Sequence, residues 1–264
     1  MTCHICSNES PPLFSKLLLG KYNVDYFKCS NCEFIQTEKP YWLQEAYQNS
    51  ITALDIGLVY RNQYLSTVAQ ALITRFFNPG KKFLDFGGGY GLFVRMMRDR
   101  GFDFYRQDKY CENLFAKNFD ISDLPEESKS FELVTSFELF EHLENPMNEI
   151  QKMLSTGNSI LFSTEVQPTQ GDISSWEYLA PETGQHIALY SVKTLQTIAR
   201  KFKLNIYTNS FNIHLLTPLS LSTGVFKILA RPKIAFVYNL FRSNRQSLLE
   251  QDYSFIKQKL SQSI

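Results

Sequence analysis

The sequence predicts an α/β fold in which a doubly wound, mostly parallel sheet carries helices on both faces. From Lys81 onward, apolar strand-like runs alternate with helical patterns, as in a parallel sheet covered by helices. A glycine-rich turn at 87–91 joins the first of these strands to a helix. Acidic side chains follow several strand ends, which is where open α/β sheets bind their ligands. We therefore expect a ligand-binding sheet with a smaller element before it.

The predicted sheet has seven strands. Five single runs lie near 82–86, 102–107, 115–119, 131–136 and 158–163, and a closing pair lies within 204–216. Helices are predicted near 91–100 and 146–154, and Ser191 is expected to cap a helix over 192–202. The segment 41–77 predicts one or two helices, and 219–260 predicts two basic, partly apolar helices.

The glycine turn follows Asp85 at the end of the first strand of the sheet. Glycines let the backbone approach a ligand closely. A dinucleotide fingerprint that starts at Gly87 would need glycine at position 92, where the chain has Leu92. The spacing D-x-G-x-G-x-G instead resembles the first motif of class I S-adenosylmethionine-dependent methyltransferases, which implies a Rossmann-like domain with that cofactor. The resemblance assigns cofactor contacts to Asp85, Gly87, Gly88, Gly89 and Gly91.

Further residues match the cofactor site of that family. Asp108 ends the next strand about 20 residues beyond the glycines, the usual offset for an acid that binds ribose hydroxyls. Asp120 and Ile121 lie in a segment that resembles the adenine-binding loop. Phe137 opens a segment, 137–143, that resembles the motif beside the methionine end of the cofactor.

Two Cys-x-x-Cys pairs near the N-terminus form a metal-ligand pattern. Cys3 and Cys6 are separated from Cys29 and Cys32 by 22 residues, a spacing close to that of zinc ribbons. Four thiolates suit tetrahedral zinc and leave no open position for catalysis, so the predicted zinc is structural. The predicted organisation is a zinc ribbon at 1–40, a helical cap at 41–78, the methyltransferase domain at 79–216 and basic helices at 217–264.

A long polar loop at 164–184 leads into Gly184-Gln185-His186. Loops of this length are commonly functional. The segment resembles a motif of methyltransferases in bacterial polysaccharide and sugar biosynthesis, which implies a small-molecule acceptor, a sugar or glycan intermediate. Zinc-ribbon sugar C-methyltransferases resemble the first part of the chain but carry a further C-terminal domain, for which this sequence is too short. We therefore expect an oxygen rather than a carbon as the target atom. A hydroxyl acceptor benefits from a general base of near-neutral pKa, and His186 is the candidate. A role for His186 in ordering the loop stays open, as does His142 as base or substrate contact.

The distribution of charge along the sequence limits the classes of partner that can be predicted. The net charge is +1, yet residues 190–264 hold eleven Lys and Arg against two acids, a net +9. A basic end suits a polyanion, a nucleotide-linked substrate or an anionic membrane, and equally a set of solvated helix faces. Weak membrane-surface contact through 224–237 is one such use, although Pro232 favours core packing of that stretch. The balanced charge of 1–40 argues against nucleic acid. A cytoplasmic location is expected, because no apolar run has the length of a membrane span.

Two other functions remain open. Some guanine methyltransferases that act on ribosomal RNA also carry an N-terminal zinc module. A non-catalytic module that binds S-adenosylmethionine and recruits partners is the second alternative, because a fold does not establish catalysis.

Overall fold

The computed structural model describes residues 1–48, 52–242 and 244–262. Within these ranges, ten strands form two sheets. The strands are β1 (Pro12–Leu18), β2 (Tyr22–Lys28), β3 (Ile35–Thr37), β4 (Lys82–Phe86), β5 (Asp103–Gln107), β6 (Leu133–Ser136), β7 (Ile160–Ser163), β8 (Ala188–Leu189), β9 (Asn205–Thr208) and β10 (Ile213–Thr217). The helices are α1 (Leu43–Ala46), α2 (Leu58–Phe76), α3 (Leu92–Asp99), α4 (Pro146–Thr156), α5 (Val192–Phe202), α6 (Thr223–Leu229), α7 (Pro232–Arg242) and α8 (Leu249–Gln262).

The larger sheet has six strands in the order β5-β4-β6-β7-β10-β9. Strand β4 pairs in parallel with both β5 and β6, as the alternation of strands and helices predicted. Strands β9 and β10 pair antiparallel, so the sheet is mixed. The carboxyl ends of β4 and β5 thus meet at one edge of the sheet, where open α/β sheets bind ligands.

The prediction of seven strands is wrong, because the described residues 115–119 form no strand. The side-chain amide of Asn113 donates to the carbonyl of Ala116 at 2.7 Å, and the Ala116 N–H donates back to Oδ1 at 2.9 Å. Asn118 then adopts a φ of +69°, a left-handed conformation that interrupts an extended strand. Side-chain hydrogen bonds to the local backbone therefore leave only one bridge of the expected ladder, between Arg106 and Asp120.

One compact unit contains the described residues of Met1–Ile56, Ser136–Ser155 and Leu161–Ser220. Its antiparallel sheet has the order β1-β2-β3-β8, so the N-terminal segment shares a sheet with the strand that precedes α5. The side chain of Ser191 accepts a hydrogen bond from the Thr194 N–H at 3.0 Å. The predicted cap and the predicted bounds of α5 are thereby confirmed.

The other unit contains the described residues of Gly57–Thr135, Thr156–Ile160 and Leu221–Ile264. Helix α2 buries Leu65, Val68 and Leu72, which recur at three- and four-residue steps and so share one face. Helix α7 packs against α2, and the Asn239 side chain donates to the Thr67 carbonyl at 2.9 Å.

The described residues of 217–264 form three helices where two were predicted. Pro232 is the first residue of α7, a position where the missing N–H costs nothing. Phe226 and Ala235 are buried, whereas the side chains of Phe236 and Phe241 are 56% and 80% exposed. Core packing therefore accounts for only part of the stretch 224–237. Among the described residues, no helix combines the length and the apolar character needed to cross a bilayer.

Candidate active site

The glycine turn between β4 and α3 requires glycine at most of its positions. Gly87, Gly89 and Gly91 have φ values of +75°, +52° and +86°, which side-chain-bearing residues rarely adopt. Gly88 has an ordinary φ, but a Cβ there would lie 2.7 Å from Oδ2 of Asp85. The turn therefore presents bare backbone at the edge of the sheet.

Asp85 lies beneath this turn, 3% exposed. The hydroxyl of Thr135 on β6 donates to Oδ1 of Asp85 at 2.6 Å. Burial is the main cause that raises the pKa of Asp85 from 3.8 to about 7, and the charge of Asp108 contributes to this increase. The carboxyl group thus titrates near neutrality in the absence of a ligand.

Asp108 follows β5 and lies beside the turn, as predicted. Its Oδ2 accepts a hydrogen bond from the Gly89 N–H at 3.0 Å. Its Oδ1 accepts from the N–H groups of Tyr110 and Cys111, each at 2.8 Å. The side chain is half-buried, so it connects the end of β5 to the turn and still reaches the surface.

Asp120 is held by two side chains of the same unit. Oδ1 pairs with Nε of Arg106 at 2.6 Å, and Oδ2 accepts from Nδ2 of Asn113 at 3.0 Å. The Arg106 guanidinium also donates to the carbonyls of Gly89 and Cys111. Arg106 therefore connects the glycine turn to the predicted adenine loop, where Ile121–Asp123 forms one 3-10 turn. Sequence reading missed this arginine, because it looks like an ordinary strand residue.

Phe137 and the two candidate histidines belong to the other compact unit. Phe137 is half-buried directly after β6. Nδ1 of His142 lies 3.1 Å from the Gln185 carbonyl and 3.0 Å from the Tyr47 hydroxyl. Burial is the main cause that lowers the pKa of His142 from 6.5 to about 3, and neighbouring His186 contributes to the decrease, so the ring is neutral.

His186 lies against His142, with ring centroids 5.0 Å apart and nearly perpendicular planes. Nδ1 of His186 lies 2.5 Å from the Tyr178 carbonyl. Glu141, a residue that the sequence reading did not single out, has a ligand atom within 4.8 Å of those of both histidines. Its position in a Glu-His pair after a strand was the available signal. The three side chains form a group that could hold a metal ion.

The four N-terminal cysteines converge as predicted. Their Sγ atoms all lie within 4.8 Å of one another, with Cys3 3.5 Å from Cys32 and Cys6 3.4 Å from Cys29. None of the four forms a disulfide. The hydrogen bond from Cys32 is the main cause that lowers the pKa of Cys3, to about 5. Four converging sulfurs, one of them favoured as a thiolate, suit a tetrahedral zinc ion.

A family model described as a methyltransferase domain matches residues 60–209, more than half of the chain. The chain therefore belongs to this methyltransferase-domain family, as the resemblance of its motifs implied. The matched residues include the glycine turn, Asp108, Asp120 and both histidines of the candidate site.

Solved structures similar to the chain are methyltransferases of low sequence identity. An O-methyltransferase family protein from Burkholderia thailandensis is 11% identical, with a TM-score of 0.48, over 70% of this chain and 65% of that one. The plantazolicin methyltransferase BpumL is 13% identical, with a TM-score of 0.49, over 81% and 87%. CalO1, a methyltransferase in calicheamicin biosynthesis, is 12% identical, with a TM-score of 0.41, over 67% and 61%. The chain thus spans less than two thirds of the first and third of these proteins. A search of curated proteins finds no match.

Proposed function

We propose that the protein transfers a methyl group from S-adenosylmethionine to a hydroxyl of a sugar or glycan intermediate. The observation that carries the proposal is the glycine turn with Asp85 beneath it and Asp108 beside it, inside the region that matches the methyltransferase-domain family. The sugar rests on the resemblance of Gly184-Gln185-His186 to polysaccharide methyltransferases.

The turn fits the cofactor, because its backbone is free of side chains where a Cβ would clash or strain the chain. Asp108 would accept hydrogen bonds from ribose hydroxyls. Asp120 and Ile121 would contact adenine, with Asp120 already oriented by Arg106, and Phe137 would lie near the methionine end. The bound cofactor supplies an electrophilic methyl group, so the chain has to orient the acceptor and remove its proton.

His186 is the proposed proton acceptor. Because a carbonyl can only accept, the short contact with Tyr178 places the proton of the neutral ring on Nδ1. Nε2 then keeps a lone pair that can take the proton of the acceptor hydroxyl. His142 is held in the same tautomer by the Gln185 carbonyl and would contact or orient the acceptor.

The four cysteines are proposed to hold structural zinc. The N–H of Ile5 points to Sγ of Cys3, and that of Cys32 points to Sγ of Cys29, each at 3.4 Å. Such N–H groups stabilise thiolate ligands. Cys32 also accepts, through its carbonyl, a hydrogen bond from Thr194 at 2.9 Å, so the ion would support a segment joined to α5.

The protein is proposed to act in the cytoplasm on a small molecule, without nucleic acid. Weak contact with an anionic membrane has support from the exposed Phe236 and Phe241 beside Lys233 and Arg242. Methylation of ribosomal RNA is less supported, because the charges of 1–40 balance. A non-catalytic module would lack turnover.

Turnover tests the proposal. The purified protein is incubated with S-adenosylmethionine and a panel of nucleotide sugars and glycan fragments, and S-adenosylhomocysteine and the methylated product are quantified. We expect methylation of at least one hydroxylated acceptor and a loss of at least about a hundredfold in His186→Ala. Glu182→Gln, an exposed change on the same loop, should retain turnover. Near-normal turnover of His186→Ala would remove the proposed base, and methylation of RNA alone would replace the acceptor class.

A further inference from the structure

Glu141, His142 and His186 bring one carboxylate and two imidazoles together inside one compact unit. Their ligand atoms all lie within 4.8 Å of one another. An ion about 2.0–2.2 Å from each ligand atom requires separations of about 3–4 Å, so small side-chain movements would close the group around it.

Both histidines already have the tautomer of a metal ligand. Nδ1 of His142 faces the Gln185 carbonyl at 3.1 Å, and Nδ1 of His186 faces the Tyr178 carbonyl. A carbonyl can only accept, so these contacts are hydrogen bonds when Nδ1 carries the proton, and the Nε2 lone pair is then free. A metal-bound histidine usually donates the N–H of its other ring nitrogen to a carbonyl or carboxylate, which orients the ring.

Glu141 supplies the independent observation. The residue is 1% exposed, and among the described residues its Oε2 has no hydrogen-bond partner of ordinary geometry, although the Tyr178 hydroxyl interacts with the same carboxylate. A buried carboxylate oxygen without a partner costs free energy, whereas a bound cation would compensate its charge. The charges of Glu138 and Glu141 both interact with Glu165, so further carboxylates add negative potential around Glu141.

We propose that Oε2 of Glu141 and the Nε2 atoms of His142 and His186 bind a divalent first-row transition-metal ion. Two imidazoles and one carboxylate suit such ions and leave coordination positions open. The inference rests on the proposed function, because the acceptor hydroxyl would occupy an open position. There the ion lowers the pKa of the hydroxyl, the O–H bond breaks, its electron pair stays on oxygen and the proton passes to water. When the ion is bound, His186 is a ligand, and the proton of the hydroxyl passes to water instead of to His186.

Metal stoichiometry and Mn²⁺ binding test the site. Mn²⁺ is the probe because it favours nitrogen and oxygen ligands over the thiolates of the cysteine group. Elemental analysis counts the metal that the purified protein already holds, and the free Mn²⁺ signal in electron paramagnetic resonance measures further uptake. We expect one equivalent beyond the ion of the cysteines in the wild type. Glu141→Gln should weaken its binding at least about tenfold, and Glu182→Gln should leave it unchanged.

The outcomes separate this site from the proposed function. Absence of a further equivalent in the wild type, or its retention by Glu141→Gln, would overturn the metal site. Turnover that continues in this case, and that needs His186, supports the base instead. Binding of the ion by a folded protein that methylates no hydroxyl compound would keep the site and overturn the function. A circular dichroism spectrum identical to the wild type shows that Glu141→Gln is folded.

Discussion

Nε of Arg106 lies 2.6 Å from Oδ1 of Asp120, and this ion pair fastens the predicted adenine loop to strand β5. The Arg106 side chain is 6% exposed, and its Nη1 donates to the carbonyl of Gly89, which precedes β5, and to that of Cys111, which follows it. One buried arginine thus organises two segments that are far apart in sequence.

Arg106→Met should destabilise the protein by about 3 kcal/mol, because it leaves Asp120 without its cation and two carbonyls without donors. Urea unfolding followed by tryptophan fluorescence measures the loss. Lys117→Met is the matched control: it breaks the exposed pair of Lys117 with Glu112 and should cost less than about 1 kcal/mol. Equal losses of unfolding free energy in the two variants would show that the Arg106 pair stabilises the fold no more than an exposed ion pair does.

Asp85 predicts a pH-dependent stability of the cofactor-free protein. Its pKa is raised to about 7 in the fold, against 3.8 normally, so the folded chain holds a proton between these values that the unfolded chain has lost. The contribution of Asp85 to the free energy of unfolding is therefore fully present below about pH 4 and is lost as pH rises through 7. The loss is about 3 kcal/mol between pH 5 and pH 8.

Asp85→Asn should remove this slope and be the more stable protein at pH 8. Urea unfolding at both pH values measures it, with Glu127→Gln as a control that removes an exposed carboxylate. A wild-type slope that persists in Asp85→Asn would assign the proton to another group.

Helix α8 is anchored by a second buried ion pair. Nε and Nη2 of Arg98 bind the two carboxylate oxygens of Asp252 at 2.8 and 2.7 Å, and both side chains are buried. Asp252→Ala should cost about 3–5 kcal/mol, because it leaves a buried guanidinium without this partner. Hydrogen exchange should accelerate across 249–262 in Asp252→Ala but not in Glu250→Ala, where the lost side chain is exposed. Unchanged exchange would mean that apolar contacts alone hold α8.

Zinc content tests the cysteine group. The purified protein should hold one zinc ion that Cys29→Ser loses, because serine is a poor ligand for this ion. Cys111→Ser should keep the zinc, since Cys111 lies outside the group. A wild-type protein that holds no zinc at the cysteines would contradict the prediction of a zinc ribbon.

Local patterns in the sequence predicted the elements whose causes are local. Ser191 followed by an apolar helical repeat located α5, and the glycines with Asp85 located the turn. The error at 115–119 arose because the hydrogen bonds of Asn113 outweigh an apolar run. Arg106 and Glu141 were missed because their roles depend on partners brought close by the fold, which spacing along one chain does not show.

Cofactor binding tests the central claim most directly. Calorimetric titration with S-adenosylhomocysteine should show one site in the wild type. Asp108→Ala should weaken binding at least about tenfold, the loss expected for hydrogen bonds to a charged group, and Glu112→Gln on the same exposed loop should not. No binding to the folded wild type, or equal affinity in Asp108→Ala, would contradict the assignment of the glycine turn and Asp108 to the cofactor.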